Sequence, residues 1–191
     1  MAQTTKSSIT IRSTNPKFMK ARPNAPAQNN TWRSLVWQIR SASVKYGKVQ
    51  FALQTRYSYS ANESLGLCHF VFGTSWQLFG PQHKADLMAA ATGWDVTLAE
   101  LQALGRRRVN LMRAFNAREG LTRAEDTLPE KLFKNPLQGG RSDGLLIERE
   151  ELADGLRLYY HAAGWEAETG MPTRTTLEEV GLAWVADALG I

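Results

Sequence analysis

The stretch from Thr97 to Phe115, TLAELQALGRRRVNLMRAF, carries the clearest structural signal in the chain. Thr97 and Glu100 have the spacing of a capping box, in which each side chain accepts a hydrogen bond from the other residue's backbone N–H. Behind this box, apolar residues recur at the spacing of one face of a helix. The pattern predicts a long helix that ends near 116–120. Its apolar stripe comprises Leu101, Leu104, Val109, Leu111, Met112 and Phe115.

The sequence on both sides of this helix also favours helices. Pro81 is typical of a helix start and Gly93 of a stop. A second capping box, Thr175 to Glu178, predicts a C-terminal helix that reaches Leu189. We therefore expect helices over 81–92, 148–163 and 175–189, with one helical turn at 129–133.

Two short segments share one pattern, a helix end followed by glycine, tryptophan and an acidic residue. They are Gly93-Trp94-Asp95 and Gly164-Trp165-Glu166. Glycine after a helix takes the left-handed conformation, and the next large apolar residue packs back on the last turn. The pattern predicts two helix ends with packed tryptophans.

Length and composition limit the class of protein. With 191 residues, the chain suits one domain or two small ones. A single cysteine excludes a disulfide-stapled scaffold and suits a reducing compartment, so we expect a cytoplasmic protein. No apolar run approaches the roughly 18 residues that a membrane-spanning helix needs.

The charge is divided sharply along the chain. Residues 1–62 contain ten basic residues and no acidic one, whereas 63–191 contain 13 basic and 18 acidic residues. Residues 1–30 are polar and lack a sustained period, which indicates disorder, apart from a short strand at 8–13. The apolar spacing predicts a helix over 31–42, and 45–60 fits either a helix or a strand. We expect a mainly α-helical domain over 45–191 behind an irregular, poorly ordered or foreign extension, 1–44.

The residues best suited to chemistry lie in ESLGLCHFVF, residues 63–72. Gly66 permits a close approach of the backbone, and the thiolate of Cys68 is a soft ligand for iron or zinc. One cysteine cannot hold a metal by itself, so composition alone favours a buried small side chain as the interpretation of Cys68.

The order of several motifs resolves this choice by resemblance. ESLGLCHFVF is followed by ATGWDVTLAELQALGRRRVNLMRAFNAREGLTRAEDTLPEKLF over 91–133 and then by MPTRTTLEEVGL over 171–182. Together they resemble the C-terminal domain of tungsten-containing aldehyde ferredoxin oxidoreductases, across about 45–191. That family has a D-x-x-G-L-C motif and, after it, GWDVT-x-E-E-L and R-x-F-N-x-R-E-G-x-T-R blocks.

The resemblance implies roles for three residues. Cys68 matches the last of four cysteine ligands to a [4Fe–4S] cluster. Glu63 matches the acid that holds the pterin of a tungsten or molybdenum cofactor, although the family has aspartate there. The backbone near Leu67 would lie against the same cofactor, with its N–H groups meeting polar cofactor atoms.

The same resemblance implies a larger enzyme that oxidises aldehydes to carboxylic acids and passes electrons to ferredoxin. The family's other three cluster cysteines lie in an N-terminal domain, and this chain has no second cysteine. We therefore expect it to bind these cofactors only with the missing domains or a separate subunit, and to be inactive without them.

A non-enzymatic function is the alternative. The acid-free arm would contact nucleic acid or an acidic protein surface, with salt-dependent affinity. Arg106-Arg107-Arg108 does not by itself favour nucleic acid, because neighbouring side chains on a helix point in different directions, and we interpret it as a solvated face.

Overall fold

A computed structural model describes residues 46–73 and 79–191. Within these ranges the chain is mainly α-helical and forms no β-strand, which confirms the predicted fold class. None of the described helices is long and apolar enough to cross a membrane. The helices are α1 Tyr46–Ser64, α2 His69–Phe72, α3 Pro81–Thr92, α4 Leu98–Arg118, α5 Lys131–Lys134, α6 Arg149–Ala163, α7 Arg174–Glu179 and α8 Ala183–Leu189, with 3-10 turns at Arg123–Glu125 and Gly140–Ser142.

The long helix α4 begins as its sequence predicts. Thr97 Oγ1 accepts a hydrogen bond from the Glu100 N–H at 3.2 Å, and Glu100 Oε2 accepts one from the Thr97 N–H at 2.8 Å. The Thr97 N–H and the Thr97 hydroxyl both donate to the Glu100 carboxylate, and these two hydrogen bonds lower the pKa of Glu100 because they favour its charged form. The helix ends at Arg118, inside the predicted window.

Helix α4 packs closely against α1, and a glycine makes this possible. A Cβ added to Gly105 would lie 1.9 Å from the carbonyl oxygen of Tyr57. The two backbones therefore meet where no larger residue fits. The segment over 45–60, which suited either a helix or a strand, is helical here and supplies the buried face of α1 with Val49, Leu53 and Tyr57.

Two clusters of buried side chains form the core, and α4 contributes to both. Val109 packs in the first cluster and Ala114 in the second. The first cluster joins α4 to α1 and α6, and the second joins α4 to α7 and α8. Their other members are Leu53, Tyr57, Tyr160, Ala163 and Trp165 in the first, and Leu177, Leu182, Val185 and Ala186 in the second.

A polar network closes the first cluster. Arg113 Nη1 and Nη2 donate to the two carboxylate oxygens of Asp126 at 3.0 and 2.6 Å, and Arg113 Nε donates to the Gly170 carbonyl at 2.7 Å. The Tyr160 hydroxyl donates to the same carboxylate. Arg113 also lies over the Trp165 ring, 5.1 Å from its centroid. The network fixes the loop after α6 and the turn after α4 on the core.

Two predictions about helix ends need correction. The C-terminal helix does not start at a Thr175 box, because Thr173 caps α7 by accepting from the Thr176 N–H at 3.2 Å. It also does not run on to Leu189, since Gly181, with φ +70°, separates α7 from α8.

Gly93 and Gly164 both end helices in the left-handed conformation, as predicted. Trp165 packs in the core as predicted, but Trp94 is 68% exposed and lies outside both buried clusters.

Several predictions lie outside the described residues. They are the strand at 8–13, the helix over 31–42 and the poorly ordered extension 1–44, and with it the alternative function of a basic arm.

Replacement of Gly105 by alanine is expected to destabilise the protein. Overpacking in a core costs about 1–3 kcal/mol, which exceeds the gain of about 1 kcal/mol when alanine replaces glycine in a helix. Urea unfolding followed by circular dichroism measures the net loss. Ala103→Gly, at an exposed position of α4, measures separately how much alanine and glycine differ in helix propensity in this helix. A Gly105→Ala variant more stable than wild type would contradict the close helix contact.

In the Tyr160→Phe variant, the free energy of unfolding is expected to fall less steeply with pH at alkaline pH than in the wild type. Burial and the hydrogen bond to Asp126 raise the pKa of Tyr160 from 10.0 to about 12. The folded state therefore favours the neutral phenol, whose stabilising contribution is complete below pH 10 and is lost as pH rises toward 12. Burial likewise raises the pKa of Tyr57 to about 12, so part of the pH dependence persists in the variant.

Urea unfolding at several pH values between 8 and 11.5 measures this difference. Tyr46→Phe, which changes an exposed tyrosine at the start of α1, is the control and should keep the wild-type slope. An unchanged slope in Tyr160→Phe would show that folding does not raise the pKa of Tyr160.

Candidate functional site

The segment from Glu63 to Cys68 forms the end of α1 and the start of α2. Gly66 is left-handed, with φ +67°. The Gly66 N–H donates to the Glu63 carbonyl at 3.3 Å, and the Leu67 N–H donates to the Asn62 carbonyl at 2.8 Å. This pair of bonds is a Schellman motif, which requires a residue that tolerates positive φ. The spacing of Glu63, Gly66 and Leu67 is therefore fixed by the way the helix ends.

Asn62 holds the turn together from inside. Its side-chain nitrogen donates to the Phe72 carbonyl at 3.2 Å, so it links the end of α1 to the end of α2. The residue is 1% exposed. Its side-chain oxygen, Oδ1, is buried and accepts no hydrogen bond within the part of the chain that the structure describes. A buried acceptor in this state costs free energy unless a further donor completes it.

The thiol of Cys68 lies at the surface immediately before α2. The next residue, His69, packs edge-on against Tyr59 of α1, with ring centroids 4.7 Å apart. Phe70, two residues after the cysteine, is 78% exposed. An accessible soft ligand therefore stands beside an uncovered aromatic ring, as expected at a surface that another protein segment completes.

The carboxylate of Glu63 is paired with an arginine from α4. Arg108 Nη1 donates to Glu63 Oε2 and also to Ser60 Oγ, the latter at 3.1 Å. Glu63 is exposed and Arg108 partly exposed. A carboxylate has two oxygens, and Arg108 contacts one of them. Within the described part of the chain the other oxygen, Oε1, accepts no hydrogen bond, so it can accept one from a ligand.

The three consecutive arginines of α4 reach three different places, as their helical positions predict. Arg106 Nη2 donates to Glu179 at 2.6 Å, and Arg107 Nη1 donates to the carbonyl of Val180 at 2.8 Å. Arg108 alone of the three reaches the turn at the end of α1. They therefore bind other helices of the same chain and do not form one basic patch.

A buried lysine lies on the neighbouring helix α3. Lys84 is 4% exposed, and its Nζ donates to Ser58 Oγ of α1 at 2.9 Å. Burial lowers the pKa of Lys84 because the charged ammonium is poorly solvated there. This contact fastens α3 to the same stretch of α1 that carries Tyr59 and Ser60.

The structure places Glu63, Leu67 and Cys68 on one turn. The Leu67 N–H donates to the Asn62 carbonyl, because the helix end needs that donor. The Leu67 carbonyl and side chain remain for contact with a cofactor, and the cofactor role of the backbone near Leu67 stays a prediction. The described residues hold no group of three or more potential metal ligands, so Cys68 stands as a single donor.

Sequence reasoning missed Asn62 and Arg108. The pairing of Arg108 with Glu63 joins residues 45 positions apart, and no local pattern encodes it. Asn62 had a weak local signal, since it lies four residues before the glycine that ends α1.

The family model for aldehyde ferredoxin oxidoreductase, domains 2 and 3, matches residues 9–182. The match begins inside the segment 1–44 that we interpreted as an extension, and the boundary at 44 stays a prediction. It also includes the complete turn from Glu63 to Cys68.

Relatives of the same kind match part of the chain. The tungsten-containing aldehyde ferredoxin oxidoreductase of Pyrococcus furiosus is 37% identical over 123 residues, which are 63% of this chain and 19% of that protein. The enzyme of the same name from Thermococcus kodakarensis is 34% identical over the same shares. The chain thus matches about a fifth of the length of these relatives.

A solved structure shows the same fold at lower identity. The active-site complex BamBC of benzoyl coenzyme A reductase, in complex with 1,5-dienoyl-CoA, aligns with a TM-score of 0.59 and 20% identity. The alignment covers 94% of this chain and 25% of that one. With the family match over most of its length, this chain belongs to the aldehyde ferredoxin oxidoreductase family and corresponds to its C-terminal domains.

Proposed function

We propose that this chain supplies the C-terminal part of a tungstopterin and [4Fe–4S] enzyme that oxidises aldehydes to carboxylic acids, with ferredoxin as electron acceptor. The observation that carries the proposal is the turn from Glu63 to Cys68. It carries an exposed glutamate and an exposed cysteine five residues apart, in a chain that belongs to this family. The site of action is the cytoplasm, where the single thiol stays reduced.

The residues of this turn fit the two cofactors as one side of a larger site. Cys68 offers a soft thiolate, the ligand type that holds iron in [4Fe–4S] clusters. A Cβ added to Gly66 would have no heavy atom within 4 Å, so the space beside this glycine is open to a ligand. The buried Oδ1 of Asn62 accepts no hydrogen bond from the described residues and could accept one from a donor outside them. The chain does not contain three further cysteines, and a second polypeptide or segment must supply them.

Each residue has a distinct task in this proposal. When bound, the tungsten cofactor supplies the two-electron oxidation of the aldehyde, and the cluster transfers the electrons singly. Cys68 would ligate one iron through its thiolate. Glu63 would accept hydrogen bonds from the pterin through Oε1, and the Leu67 carbonyl and side chain would line the same surface. The catalytic acid and base come from the segments that complete the enzyme.

Metal analysis is expected to separate the isolated chain from the completed enzyme. The chain purified anaerobically by itself should lack stoichiometric iron and tungsten. Co-produced with a polypeptide that carries a C-x-x-C-x-x-x-C run, it should yield a complex with both metals, measured by inductively coupled plasma mass spectrometry. Absence of both metals from that complex would contradict the proposal.

Two variants and a thiol assay make this experiment specific. Cys68 in the isolated chain should react stoichiometrically with a disulfide reagent such as DTNB, because the thiol is exposed. It should be protected in the complex. Cys68→Ser should remove or alter the cluster signal in electron paramagnetic resonance, whereas Ser64→Ala, on the same turn, should preserve it. A complex whose cluster tolerates Cys68→Ser would exclude the ligand role.

A further inference from the structure

We propose that Arg108 is the positioning residue for the Glu63 carboxylate, and that it holds this group in the orientation that accepts the pterin. The proposal deepens the proposed function and rests on it. Its basis is the contact between the two side chains across the α1–α4 interface.

The backbone of Arg108 is held firmly relative to α1. Gly105 and Val109, on either side of it in α4, are both buried, and Gly105 touches the Tyr57 backbone. The guanidinium therefore approaches α1 from a fixed base. It donates to Ser60 Oγ at 3.1 Å and to Glu63, two residues that lie three positions apart on one face of α1.

Stability of the fold does not explain this pair. The Arg108 side chain is 33% exposed and the Glu63 side chain 45% exposed, and ion pairs this open to water contribute little to folding. The contact of Gly105 with Tyr57 and the buried cluster around Val109 already join α1 to α4. The main effect of the pair is therefore on the orientation of the Glu63 carboxylate.

The glutamate needs such a partner more than the family's aspartate does. Its extra methylene adds a rotatable bond, so an unrestrained Glu63 would sample more orientations and lose more freedom when a ligand binds. Arg108 removes this cost by holding Oε2. Because Oε1 has no partner among the described residues, the restraint leaves one acceptor open for the N–H groups of a pterin ring.

A titration with free pterin tests the role of Arg108. Full-length chain labelled with ¹⁵N is assembled with the unlabelled polypeptide that completes the enzyme, both from cells that make no pterin cofactor. The complex is titrated with 2-amino-4-oxopteridine, and the shifts of the Glu63 and Leu67 amides give the dissociation constant. Loss of a charge-assisted contact predicts about tenfold weaker binding in Arg108→Gln and in Glu63→Gln. The double variant should bind no more weakly than Glu63→Gln, since Arg108 acts through Glu63.

The neighbouring arginine supplies a matched control. Arg106→Gln removes the same charge from the same helix, but its partner is Glu179, so pterin affinity should stay at the wild-type value. Arg108→Lys retains the charge without the planar fork and should restore part of the affinity. It also carries the test if Arg108→Gln fails to fold, which a urea unfolding curve shows.

The outcomes distinguish this proposal from the function on which it rests. Wild-type affinity in Arg108→Gln, together with weakened binding in Glu63→Gln, would overturn the role of Arg108 and leave the pterin site intact. Unchanged binding in Glu63→Gln, or no shift at Glu63 and Leu67 in the wild-type complex, would overturn the pterin assignment and with it the role of Arg108.

Discussion

The close contact between Gly105 and the Tyr57 carbonyl is the constraint on which the rest of the structure depends. It brings the backbones of α1 and α4 together, and α4 in turn contributes to both buried clusters. One turn further along α4, the same approach brings Arg108 within reach of the last turn of α1. A wider spacing between the helices would disrupt the core and also separate this arginine from Glu63.

The spacing of the site motif follows from the way α1 ends. In a Schellman motif the left-handed residue and its successor close two hydrogen bonds to the last turn, and here these residues are Gly66 and Leu67. The carboxylate of Glu63 belongs to the helix, and the thiol of Cys68 belongs to the residue that starts the next one. The way the helix ends thus sets how far apart these two chemically different groups lie, so Gly66 contributes to the site through the turn that it permits.

Signals encoded within a few residues were predictable from the sequence. The capping box of Thr97 and the glycines at 93 and 164 define helix ends through their own turns, and the structure confirms them. The Thr175 box was wrong because Thr173 offers the same chemistry two residues earlier, directly after Pro172. Arg108 was not predictable as a partner of Glu63, since that pairing depends on how two helices approach each other.

Two arginine–carboxylate pairs on α4 show how burial separates a structural contact from a site. The Arg113 side chain is 10% exposed, and Asp126 accepts from Arg113 through both oxygens and from Tyr160, so both of its oxygens are engaged. Breaking that pair would leave a charge in a poorly solvated place, which is costly. The pair of Arg108 and Glu63 is open to water and uses one carboxylate oxygen. The arginines of the two pairs lie five residues apart on α4. The Arg113–Asp126 pair closes the core, whereas the Arg108–Glu63 pair presents an oriented hydrogen-bond acceptor.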